Sequence, residues 1–104
     1  MATVDREFEK LVAPFLAAHP SLSCQWRSVR SRLAGDRRDL VCDQGTSREV
    51  FVTVRADAAV VGTTDFHDDY QDFGTGQSDA DVARDAFARF VELLQANGHL
   101  DRAL

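Results

Sequence analysis

The sequence predicts a single α+β domain spanning residues 1–104, in which a helix is followed by three or four antiparallel strands in a meander and by a C-terminal helix packed on one sheet face. Three observations carry this reading. Apolar residues recur at helical spacing near both ends, and they alternate with a period of two through the middle. No composition shift, repeat or linker divides the 104 residues, a length at which one core is sustained without metal or disulfide.

The first helix is read from Val4, Phe8, Leu11, Val12, Phe15 and Leu16, with Asp5, Arg6, Glu7, Glu9 and Lys10 on the other side. Thr3 is placed to cap it. Pro14 lies inside the pattern, where its missing donor and its ring predict a kink or break near residues 10–14. His19 and Pro20 end the segment.

Leu22, Cys24 and Trp26 then alternate with polar residues, as in a half-buried strand. The turn chemistry of Ala34-Gly35-Asp36-Arg37 and the short run Leu40-Val41-Cys42 complete a hairpin. After a second turn at Gln44-Gly45-Thr46-Ser47, Val50, Val52 and Val54 give the clearest alternation in the chain, with Phe51 facing the opposite way. Ala58 to Thr64 is a further β-rich run, and Gly62 within it predicts a bulge or a close backbone approach. Residues 65–77 are polar and read as a loop.

The second helix starts at Ser78, a cap with Asp81 three residues on, and buries Val82, Ala83, Ala86, Phe87, Phe90, Val91 and Leu94. Asn97-Gly98 supplies a left-handed stop, with Leu100 placed for the hydrophobic contact that follows.

Twelve bases against seventeen acids give a net charge of −5, which argues against nucleic acid and anionic membranes as partners and for a basic protein. Arg27, Arg30, Arg32, Arg37 and Arg38 crowd the first half, where they are expected to solvate a strand or pair with acids. No apolar stretch is long enough for a membrane span, and the N-terminal residues lack the pattern of a secretory leader, so the expected compartment is the cytoplasm. Cys24 and Cys42 show neither CxxC spacing nor zinc-site spacing, and are expected to be reduced thiols.

The one concentrated polar cluster is Asp65, Phe66, His67, Asp68, Asp69, Tyr70, Asp72 and Phe73. Aromatic anchors interleaved with carboxylates suit a partner-binding surface for a basic protein. The competing reading buries Phe66 and Phe73 and leaves the acids to solvate a loop. A metal held by Asp65, His67 and Asp69 is a weaker reading, because no metal-loop pattern accompanies them. Acid–base chemistry at His67 lacks the rest of a mechanism, so no catalytic residue, metal or cofactor is assigned.

Val50 to Arg55, Ala58 to Thr64 and Asp65-Phe66-His67-Asp68-Asp69-Tyr70, closed by an amphipathic helix, resemble small bacterial immunity proteins of polymorphic and contact-dependent toxin systems. The resemblance covers roughly the second half of the chain. It implies a cytoplasmic protein that neutralises a cognate toxin by covering its active site. A secretion chaperone of the small acidic dimeric type shares the composition, and the sequence leaves monomer and homodimer open. A small metal-dependent enzyme is the third alternative.

Overall fold

The computed structural model describes residues 3–30, 36–71 and 78–99. Its elements run α1 (Val4–Ala18), β1 (Cys24–Val29), β2 (Arg37–Cys42), β3 (Val50–Val54), β4 (Ala58–Thr63), β5 (His67–Gln71) and α2 (Asp79–Ala96). The strands form one antiparallel sheet in the order β1-β2-β3-β4-β5, and both helices pack on the same face. The fold is α+β as expected, with five strands. The fifth, His67–Gln71, lies in the polar stretch for which the sequence predicts a loop. An edge strand has one neighbour and tolerates charges on either side, so β5 lacks the apolar alternation that marked β3.

Alternation in the central strands decides which side is buried. Val50, Val52 and Val54 of β3 face the helices together with Leu40 and Cys42 of β2 and Ala59 and Val61 of β4. Against them lie Val4, Phe8 and Val12 of α1 and Val82, Ala83, Ala86, Phe90 and Leu94 of α2. Leu93 is buried too, whereas Phe87 is half-buried and Val91 lies at the margin. The opposite pleat points away from both helices and carries Val41, Phe51 and Val60.

The break expected at Pro14 is absent, and α1 continues to Ala18. Pro14 is exposed while Phe15 and Leu16 beyond it pack on the core, so tertiary contact holds the last turn despite the lost donor. Thr3 has the extended backbone of an N-cap, but its hydroxyl donates to the Asp5 carboxylate and caps no helical N–H. Ser78 does cap α2, accepting from the Asp81 N–H at 3.1 Å.

The expectation of reduced thiols is also corrected. Pairing of β1 with β2 sets Cys24 opposite Cys42, their Cα atoms 4.0 Å apart, and the two sulfurs are bonded. Eighteen residues separate them in sequence, so only the strand register brings them together.

Helix α2 ends as its Asn97-Gly98 signal predicts. Gly98 has φ 79°, its N–H donates to the Gln95 carbonyl, and the His99 N–H donates to the Leu94 carbonyl. The contact expected of Leu100 lies outside the described residues. The β2–β3 loop completes the cap, since Arg48 donates to the carbonyls of Asn97 (2.9 Å) and Gly98 (2.6 Å). His99, with a side chain only 4% exposed, sits between the Asp43 carboxylate at 3.2 Å and the Arg48 carbonyl.

Candidate functional site

The polar cluster begins in the β4–β5 turn, closed by the Thr63 N–H donating to the Phe66 carbonyl at 2.8 Å. Gly62 permits this turn. A Cβ there would lie 2.4 Å from the Phe66 carbonyl oxygen and 2.7 Å from the His67 Cβ, so the glycine marks a close approach. Register is unbroken across it, with Gly62 opposite His67.

The pleat of β5 divides the predicted site. Asp68 and Tyr70 lie opposite the buried Val61 and Ala59 and so share the helix side, whereas His67 and Asp69 share the open side with Gly62 and Val60. Asp65 is exposed in the turn, and Phe66, at 45%, is the exposed large apolar side chain among the described residues. Asp72 and Phe73 lie outside the described residues.

Helix α2 then contributes what the sequence cluster lacked. Asp68 accepts from Arg89 Nε at 2.9 Å, Arg89 Nη1 reaches Glu92 at 3.0 Å, and the same guanidinium stands 5.7 Å from the Phe66 ring centroid. Asp68, Asp69, Tyr70, Asp85, Arg89 and Glu92 border one depression between β5 and α2, and two of its four carboxylates, Asp68 and Glu92, hold its single guanidinium. Asp85, Arg89 and Glu92 recur at helical spacing, a charged stripe that sequence inspection could have flagged.

Burial, and next the Asp68 charge, push the Tyr70 hydroxyl above its ordinary value of 10.0, with Arg89 opposing. The acceptors on Glu92 and Asp68 hold the Arg89 guanidinium more firmly charged. Tyr70 is the single tyrosine, so absorbance at alkaline pH reads it alone. Its ionisation midpoint is expected above 10, and Asp68→Asn is expected to lower it. Because the folded state favours the neutral phenol, this group's contribution to stability is present below pH 10 and is lost as pH rises through the folded value. A midpoint at or below 10 in the native domain would contradict the half-buried placement.

Comparison of the chain with protein-family models, with curated proteins and with solved structures finds no match.

His67 Nε2 stands 3.8 Å from Asp69 Oδ1, with both side chains more than half exposed at 62% and 57%. This is a solvated pair. Among the described residues no three His, Cys, Asp or Glu side chains gather as metal ligands, so Asp65 does not join them. The arginines of the first half are placed largely by acids: Arg38 pairs with Glu9 at 2.9 Å and lies over Trp26, and Arg27 and Arg37 approach Asp39. Among the described residues no helix is long and apolar enough to cross a membrane.

Proposed function

We propose that the domain is a small protein-binding module of the immunity type, which neutralises a toxin by covering its active site. The observation that carries this reading is the acidic depression between β5 and α2, bordered by the exposed Phe66. Carboxylates in excess over one arginine attract a basic partner, and an exposed aromatic beside them gives an apolar anchor. A nuclease toxin, basic because it holds nucleic acid, has the complementary chemistry. The outer edges of β1 and β5, which pair with no other strand among the described residues, favour a second reading, a chaperone-like homodimer that holds an extended client, which sedimentation of the purified protein separates from a monomer.

A cytoplasmic location belongs to the same proposal and meets one constraint. Disulfides persist chiefly in oxidising compartments, so a cytoplasmic protein of this fold must work with Cys24 and Cys42 reduced.

Asp65→Lys with Asp69→Lys tests the charge argument without breaking the Asp68–Arg89 bond. Association with the partner captured from native cells is expected to slow by about tenfold at low salt, with a smaller effect at high salt and the melting temperature preserved. Unaltered association kinetics would remove the acidic surface from the interface.

A further inference from the structure

The strands' face turned away from the helices sets Arg27, Arg37 and Arg55 against Asp39 and Asp69, a balance opposite in sign to that of the whole chain. Arg27 and Arg37 approach Asp39 at 3.5 and 3.6 Å, and Asp39, only 4% exposed in a strand face, also accepts from the Thr53 hydroxyl at 2.8 Å. Of these three groups only the Thr53 hydroxyl is within hydrogen-bond reach of the carboxylate. Arg37 Nε is buried without a hydrogen-bond acceptor. Arg37 and Arg55 follow one step beyond the Arg38–Val54 pair, and they border the same depression of about 330 Å³. Among the described residues the Arg55 guanidinium has no ion-pair partner. Phe51, Thr53 and Val60 form the floor, and His67 stands at the far rim.

Arg27 and Arg37 share the one buried carboxylate of Asp39, and Arg55 has no counter-charge among the described residues, which leaves an excess of positive charge above an apolar floor in a chain of net charge −5. Like charges side by side on a sheet are unfavourable, and a carboxylate is the group whose two oxygens match a guanidinium fork. We propose that this depression receives an acidic segment of the protein partner, with an Asp or Glu carboxylate held by Arg37 and Arg55 and a neighbouring apolar side chain seated on Phe51 and Val60. The inference rests on the protein-binding reading and adds to it the chemistry of the partner. The partner carries cations for the β5–α2 depression and a carboxylate for the face of the sheet turned away from the helices. Two patches of opposite sign fix the orientation in which it docks, because the reversed pose sets like charges together.

The test is a heteronuclear NMR titration of the whole domain with three probes: a capped Glu-Glu-Phe-Glu-Glu peptide, its Lys-Lys-Phe-Lys-Lys counterpart, and phenylacetate. The acidic peptide is expected to give saturable shifts at the amides of Phe51, Thr53 and Val60 and at the Arg37 and Arg55 side chains. The basic peptide is expected to leave those signals in place. Arg55→Gln, which loses no ion pair among the described residues, is expected to weaken the acidic peptide about fivefold, and adding Arg37→Gln to abolish the response. Absence of saturation, equal binding to the variants, or phenylacetate binding as tightly as the peptide would each overturn the proposal, the last by making this a small-molecule site. Failure here with intact sensitivity to Asp65→Lys and Asp69→Lys would sink this inference alone and leave the protein-binding reading standing.

Discussion

Phe90→Ala is expected to destabilise the domain by about 3 to 5 kcal/mol, the range for removing a fully buried aromatic. Phe90 is completely inaccessible, and its ring centroid lies 6.3 Å from those of both Phe8 and Phe15 of α1, in edge-on arrangements. The residue therefore joins the two helices as well as packing α2 on the sheet. Its truncation leaves a cavity between three elements that cannot all close on it. For a chain of this length the melting temperature is expected to fall by roughly 12 °C or more. Phe87 meets Phe8 and Phe15 from a half-buried position, so Phe87→Ala is expected to cost less. Equal effects of the two changes, or an unchanged melting temperature for Phe90→Ala, would contradict the placement of the helix stripe.

Reduction of the Cys24–Cys42 bond is expected to cost about 3 kcal/mol, the loop-closure value for a span of this size. Strand β1 feels it most, since its one strand neighbour is β2 and its packing on the helices runs chiefly through Trp26, which meets Phe8 at 6.4 Å. The loss is smaller than the total stability of an ordinary domain, about 5 to 15 kcal/mol, so the reduced protein is expected to melt lower but to remain folded at 25 °C. Chemical denaturation with and without dithiothreitol, beside the Cys24→Ser, Cys42→Ser double variant, measures this. Unfolding on reduction alone would remove the cytoplasmic placement, because the domain would then need an oxidising compartment.

How much could be read in advance followed from where each signal resides. The valines of β3 and the stripe and caps of α2 are local patterns, and a period of two or of 3.6 reports them directly. Strand β5 escaped because an edge strand bearing His67, Asp68 and Asp69 has no apolar alternation to report. The disulfide escaped because 18 residues of chain conceal a cross-strand pair that exists only in the register of β1 on β2. The polar cluster of residues 65–73 was legible as a composition and illegible as a surface. The pleat sends Asp68 and Tyr70 toward α2 and His67 and Asp69 to the other side, and the missing members Asp85, Arg89 and Glu92 come from a helix that lies beyond the turn residues in sequence. The arginine depression was more deeply hidden, since Arg37 and Arg55 belong to different strands and each reads in isolation as an exposed strand-end charge.

The most direct measurement is hydrogen–deuterium exchange of the domain alone and in complex with the partner captured from native cells. Slowed exchange over residues 66–71 and along β3 and β4, with the exposed side of α1 unchanged, is the predicted footprint. Protection confined to α1 or to the β1 edge, with residues 66–71 exchanging as in the free domain, would contradict the assignment of the interaction surface.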